Sequence, residues 1–189
     1  MKITRQGVKL DRELSDLDKF AIRFSRIIQR HTKYVIVSGY VSILLGRSRA
    51  SEDIDMLIPA MNKGEWGKIY DSLIKEGYYC LNDGDIDSSY GYLKDEIAVR
   101  FAPKGIAIPN MEILFAADAV QKLALATGIV VTLRKSRLFI SNLELQVAYK
   151  EIVLKSQKDI EDARHIRSVL GKSLNTRKLN EYRRILNEK

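Results

Sequence analysis

Thiols and imidazoles are scarce in this chain: one cysteine, Cys80, and two histidines, His31 and His165, stand among 189 residues. A single cysteine rules out an internal disulfide framework and fits a reducing cytosol, so a cytoplasmic location is expected. Two histidines so far apart do not make a zinc ligand set, and any metal is expected to be a hard ion held by oxygens. Long apolar runs are missing as well. No stretch approaches the roughly 18 to 20 residues needed to span a bilayer, so no membrane association is expected. The opening MKITRQGVKLDRELSD lacks the apolar core of a secretory signal. Internal repeats and low-complexity tracts are also absent.

What is there is the composition of a folded domain, 46% hydrophobic and 30% charged, long enough to bury a core. The formal charge of +8 is uneven. From Arg134 to Lys189, fourteen Lys and Arg stand against seven Asp and Glu, a surplus of +7. Such a surface favours polyanions such as nucleic acid or nucleotides, or is a set of solvated helix faces.

Leu14, Leu17, Ala21, Phe24 and Ile28 recur at helical spacing and predict an amphipathic helix over 13–31. Tyr34 to Val37 reads as a short strand closed by Ser38-Gly39. A second short helix follows, burying Val41, Leu44 and Leu45 and ending near Gly46. Ile54 to Ile58 is the next strand, and Trp66, Ile69, Tyr70, Leu73 and Ile74 mark a helix stopped at Gly77. Residues 82–95 have no clean period and are predicted to be a loop. Ile97–Phe101 and Met111–Phe115 read as strands, Ala116–Ala126 as a helix, and 128–141 as two short strands around a turn at Arg134 to Ser136. Beyond Asn142 the pattern is helical, with breaks near Ser156 and at Gly171–Ser173. The expected architecture is α/β or α+β: a mixed sheet flanked by helices over 1–140, with a helical C-terminal part over 141–189 packed on it as one compact unit.

Chemistry concentrates in VSGYVSILLGRSRASEDIDMLIP, residues 37–59. Strand alternation puts Asp53 and Asp55 on one face, with Cα atoms roughly 6.5 to 7 Å apart. Two unpaired anions that close repel, a penalty that a divalent ion removes; Mg²⁺ favours one or two carboxylates plus nucleotide phosphates. Upstream, a strand ending in Ser38-Gly39 and opening a helix offers backbone N–H groups and a hydroxyl to phosphate, with Arg47 and Arg49 near enough to neutralise charge. A plain strand-to-helix turn with two exposed arginines is the alternative.

The order of these features resembles the signature of the polymerase-β-like nucleotidyltransferase superfamily, in particular its small prokaryotic, minimal or toxin-type members. Their "GG…A…G…R.T.DID-apolar" stands here as Ser38-Gly39, Ser42, Gly46, Arg49, Ser51 and Asp53-Ile54-Asp55. Ser38 departs from the pattern by taking the first glycine's place. The resemblance implies a third carboxylate on a neighbouring strand. Glu112, in NMEILF, is the better candidate, and Glu96, in KDEIAVRF, the rival. The helical stretch 138–166 resembles the family's "L…K…KD..DA" through Leu143 or Leu145, Lys150, Lys158-Asp159 and Asp162-Ala163. By that likeness Lys150 approaches the nucleotide phosphates; ordinary helix-surface pairing, such as Lys158 with Asp162, is the alternative.

The resemblance implies a cytoplasmic enzyme that uses two Mg²⁺ ions to move a nucleoside monophosphate from an NTP, ATP among the choices, to an acceptor hydroxyl. Asp53, Asp55 and Glu112 would be catalytic metal ligands, and Ser38, Gly39, Arg49, Ser51 and Lys150 would bind nucleotide. The acceptor is not specified. Arg183 and Arg184 beside Tyr182 tilt it toward RNA, while protein or small-molecule acceptors fit the family equally. A non-catalytic nucleotide- or RNA-binding module on the same fold, or a toxin–antitoxin component, is the alternative. Leu174, Leu179, Tyr182 and Leu186 form either an intramolecular stripe or a surface for a protein partner.

Overall fold

A computed structural model describes residues 1–4, 7–82 and 84–188. The N-terminal strands β1 (Lys2–Thr4) and β2 (Gly7–Leu10) lead into helix α1 (Asp16–Gln29). Then come β3 (Val35–Ile36), α2 (Ser38–Leu44), β4 (Asp53–Ile58), α3 (Lys63–Lys75), β5 (Tyr78–Cys80) and α4 (Ile86–Lys94). The strands β6 (Val99–Pro103) and β7 (Asn110–Phe115) precede α5 (Ala119–Thr127), and the hairpin β8 (Ile129–Leu133) and β9 (Ser136–Ile140) precedes the C-terminal helices α6 (Leu143–Tyr149), α7 (Gln157–Leu170) and α8 (Thr176–Asn187). Among the described residues the nine strands form one mixed sheet, ordered β1-β2-β8-β9-β3-β4-β7-β6-β5. None of the described helices is long and apolar enough to cross a membrane.

Period-two alternation divides the sheet's faces. Ile54 and Met56 of β4, Phe101 of β6 and Met111, Ile113 and Phe115 of β7 are buried. They meet α1 and α3 in an aromatic core, where Trp66 packs edge-on to Phe115 and Phe24 edge-on to Tyr78. The intervening residues Asp53, Asp55, Asn110 and Glu112 therefore share the opposite face. The C-terminal helices pack on one another, with α7 against α2. Leu179, Tyr182 and Leu186 are buried within the chain, so that stripe is intramolecular and not a surface for a partner.

One prediction of the sequence is overturned. Residues 86–94 are helical, not loop, with Asp85 capping α4 by accepting from the Ser88 N–H at 2.8 Å; Asp83 lies outside the described residues. The missing period has a physical cause: Ser89 occupies a core position, where its hydroxyl accepts the Trp66 indole N–H at 2.9 Å. No element is expected from the sequence at β1 or β2, although Val8 and Leu10 of β2 are buried either side of the exposed Lys9; β1 pairs with β2, and β2 runs parallel to β8.

Candidate active site

Strand β4 pairs in parallel with β7, in a register that sets Asp53 beside Asn110 and Asp55 beside Glu112. The three acids singled out in the sequence thus lie on two adjacent strands and one face. Asp55 is the most enclosed. Burial pushes its carboxyl up to about 6, the Ser38 hydroxyl draws it down, and the charges of Glu112 and Asp53 raise it again. Asp53 is steadied by Ser51, whose hydroxyl lies 3.2 Å from Asp53 Oδ1 and 3.1 Å from its carbonyl oxygen. Glu112 is engaged elsewhere: Arg100, its cross-strand neighbour on β6, holds it through Nε at 2.6 Å. Sequence reasoning missed Arg100, although an arginine inside the apolar run IAVRF was a visible signal. The rival Glu96 sits exposed between α4 and β6.

The first residue of α2 carries strain. Ser38 has φ 61°, a left-handed conformation that disfavours a β-carbon by about 1–2 kcal/mol and that glycine adopts freely. The strain holds the hydroxyl where it bonds Asp55. Ser38→Gly is therefore expected to gain about 1 kcal/mol of stability near pH 4. The gain should shrink toward pH 8, where the ionised Asp55 would miss its hydroxyl donor. Urea unfolding at the two pH values checks this; no gain at the acidic one contradicts the strain account.

Gly39 has a different reason to be glycine: a β-carbon there would lie 3.0 Å from both terminal nitrogens of the Arg49 guanidinium. Tyr40 faces away from the acids. Its hydroxyl donates to the buried Asp18 of α1 at 2.7 Å, and Asp18 also accepts from Arg12 Nη2 at 3.0 Å and from the Ser15 N–H at 2.8 Å. Burial raises the Asp18 carboxyl, but Arg12, Tyr40 and Ser15 outweigh it, so the group titrates below the usual range. Tyr40 thus anchors α2 from behind.

Lys150 and the arginines after α2 meet in one cluster. Lys150 Nζ is fully buried and pairs with Asp162 at 2.9 Å and Asp159 at 3.0 Å. Arg49 reaches Asp162 at 2.7 Å, and Arg47 binds both Asp162 and, at 2.6 Å, Glu161. Three cations and three carboxylates therefore balance around a fully buried Asp162. The sequence pairing of Lys158 with Asp162 is replaced by Arg47, which also donates to the Lys158 carbonyl at 3.0 Å. Lys150 stands at the start of a π-helical turn, residues 150–154, that continues α6 and ends on Lys155 at φ 56°. Its charge reaches Asp55 through space, lowering that carboxyl, while its hydrogen bonds go to Asp159 and Asp162. At the far end, Tyr182 is buried and so not free for stacking, Arg183 is bonded to Glu151 at 2.6 Å, and Arg184 is exposed.

The donors at the acidic face are all oxygens, and burial plus mutual repulsion leaves Asp55 short of positive charge. That suits a hard divalent ion better than any softer metal. Among the described residues no three carboxylate, thiol or imidazole side chains come together to enclose an ion by themselves. The residues therefore fit Mg²⁺ as a two-carboxylate site that phosphate oxygens complete.

No protein-family model and no curated protein matches the sequence. Solved structures do match. An antigenic nucleotidyltransferase-like protein from Paracoccidioides brasiliensis superposes with a TM-score of 0.52 at 14% identity, over 79% of this chain and 72% of that one. ANT(2")-Ia in complex with adenylyl-2"-tobramycin gives 0.54 at 15% identity, over 93% and 98%. A solution structure of the antibiotic-resistance factor ANT(2'')-Ia gives 0.52 at 17% identity, over 90% and 93%. The chain has a nucleotidyltransferase-like fold.

Proposed function

We propose that this protein is a Mg²⁺-dependent nucleotidyltransferase that moves a nucleoside monophosphate from an NTP to an acceptor hydroxyl. The observation that carries the reading is the register of β4 and β7, which sets Asp55 beside Glu112 on one face, with Ser38 and Asp55 lining the same cavity. Asp53 and Asp55 supply oxygen ligands, and Ser51 orients the first of them. Ser38 and Gly39 receive the phosphate tail, with the Arg49 guanidinium lying over Gly39 and adding positive charge. Lys150 supports Asp55 from behind through its charge. Arg100 holds Glu112 in reserve beside Asp55. When bound, Mg²⁺ supplies charge neutralisation of the phosphates and activation of the acceptor hydroxyl. The acceptor oxygen forms a bond to the α-phosphorus as the bond from the α-phosphorus to the α,β-bridging oxygen breaks, releasing pyrophosphate, and the hydroxyl proton passes to water.

Incubation with each α-labelled NTP, Mg²⁺, total RNA and cell extract tests the reading. Label is expected to pass to RNA, a protein or a small molecule, and to be lost with chelator or in Asp53→Asn. Transfer that persists in Asp53→Asn refutes the mechanism. The engagement of Glu112 by Arg100 favours a second reading, a non-catalytic nucleotide-binding module. Mg-NTP binding without any transfer, by calorimetry and labelling together, would support that reading instead.

A further inference from the structure

The row of acids across the sheet ends in a cation. Register sets Asp55 of β4 beside Glu112 of β7, and Glu112 beside Arg100 of β6, so two carboxylates and a guanidinium follow one another over three strands. Residues directly opposed on one face of an antiparallel pair hold their β-carbons about 4.5–5.5 Å apart, and here Arg100 Nε closes on Glu112 Oε1 at 2.6 Å. The cations beside α2 are committed to α7. Lys150 pairs with Asp159 and Asp162, Arg49 with Asp162, and Arg47 with Asp162 and Glu161, and these three side chains are only 0%, 21% and 15% exposed. Arg100 differs. Its side chain is 54% exposed, and among the described residues Glu112 is the one carboxylate it meets. An ion pair so open to water is worth little, because solvent screens it and two long side chains must be held still. It neutralises Glu112 without locking it.

We propose that Arg100 is a built-in competitor for the third carboxylate. It withholds Glu112 from Mg²⁺, and Glu112 joins Asp53 and Asp55 as a ligand only as Arg100 lets go. The inference rests on the Mg²⁺ reading above and concerns how that site is loaded. Glu112 carries one negative charge, and a guanidinium and a divalent ion drawn to the same carboxylate repel each other. Asp53 and Asp55 face no such rival. Among the described residues no guanidinium pairs with either, and the Ser51 hydroxyl is the Asp53 carboxylate's neighbour at 3.2 Å. The acids of β4 are therefore engaged at lower Mg²⁺ than Glu112 is. By linkage, whatever draws Mg²⁺ onto Glu112 weakens the Arg100 contact by the same factor.

Mg²⁺ titration of the metal-free full chain, followed by nitrogen–proton NMR, tests this. The backbone amides of Asp53 and Asp55 report the first stage; the Glu112 amide and the Arg100 Nε–H report the second. The Arg100 signal is expected to move toward the position of free arginine together with the Glu112 amide, at higher Mg²⁺ than the amides of β4. Arg100→Gln should lower the Glu112 midpoint about two- to fivefold, the range that an exposed ion pair supports. It should move the Asp53 and Asp55 midpoint by less, whereas mere loss of a nearby positive charge would shift both alike. In Glu112→Gln the Arg100 signal should start near the free position and ignore Mg²⁺. The competition is overturned if the Arg100 signal stays in place while the Glu112 amide saturates. It is equally overturned if Arg100→Gln leaves the Glu112 midpoint unchanged or shifts both midpoints by one factor. In those cases the Mg²⁺ reading stands. If no amide of β4 or β7 responds to Mg²⁺, with or without tripolyphosphate, the Mg²⁺ reading falls and the competition with it.

Discussion

Asp55→Asn is expected to abolish nucleotidyl transfer while making the metal-free protein more stable at neutral pH. Asparagine keeps the shape and accepts the Ser38 hydroxyl, but it lacks the charge that binds Mg²⁺. Loss of a catalytic carboxylate of this kind is expected to lower turnover by about 10³-fold or more. The stability gain follows from linkage. Burial pushes the Asp55 carboxyl up to about 6 in the folded protein, against 3.8 for an ordinary aspartate, so the folded state holds this proton more tightly than the unfolded chain. A raised folded value means that Asp55 does no harm below about pH 4. The destabilisation builds as pH climbs from about 4 to about 6, and is constant above that. At 1.36 kcal/mol for each pH unit, the full penalty is about 3 kcal/mol, or about 6–12 °C in melting temperature for a chain of this length. The asparagine variant should therefore match the parent near pH 3.5 and melt higher at pH 7.5 in chelator. Saturating Mg²⁺ should narrow the gap by stabilising the parent alone. Equal melting of the two proteins at pH 7.5 without metal would show that Asp55 is not under the electrostatic pressure described here.

That pressure explains why the acids were legible in the sequence. A D-x-D pair keeps two carboxylates on one face of a strand in a sheet whose strands, when covered on both faces, are near-continuously apolar, and such departures mark candidate functional sites. Alternation also placed Glu112 on the correct face, and the parallel register of β4 and β7 put it beside Asp55. The Ser38-Gly39 turn was visible, and the left-handed φ at Ser38 is one that glycine adopts freely. What the sequence concealed was long-range. Arg47 and Arg49 meet Asp162 more than a hundred residues away, and no local pattern distinguishes arginines that neutralise phosphate from arginines that neutralise a buried aspartate. Lys150 posed the same difficulty, since its burial depends on α7 packing behind α6. The helix α4 stayed hidden because Ser89, a polar residue, fills an apolar position by bonding Trp66. Strands β1 and β2 are too short to declare a period and form through their partners.

Asp162→Ala is expected to be strongly destabilising. The carboxylate is fully buried and accepts from Arg47, Arg49 and Lys150. Removing it leaves Lys150 with Asp159 alone, Arg47 with Glu161, and Arg49 with no carboxylate. Breaking a buried ion pair from one side destabilises by about 3–5 kcal/mol, because the abandoned charge stays out of water. Lys150→Met should be milder, since Asp162 keeps two arginines and the methionine stem fills the lysine's space. Combining Lys150→Met with Asp162→Asn should recover part of the loss, as replacing both partners commonly does. Urea unfolding of the three variants measures these differences. The same series decides the role that family likeness implies for Lys150. If its ammonium is committed to Asp159 and Asp162, Lys150→Met weakens Mg-tripolyphosphate binding only slightly, through the loss of its distant charge, and shows itself mainly in stability. Were Lys150 instead to swing onto the phosphates, the same variant would lose at least tenfold in tripolyphosphate affinity with little change in unfolding. Asp162→Asn separates the two further, because it loosens Arg49 over Gly39 and should weaken phosphate binding even where Lys150→Met does not. The cluster thus joins the C-terminal helices to the α2 turn through one carboxylate, and stability and phosphate affinity should fall together only when that carboxylate is lost.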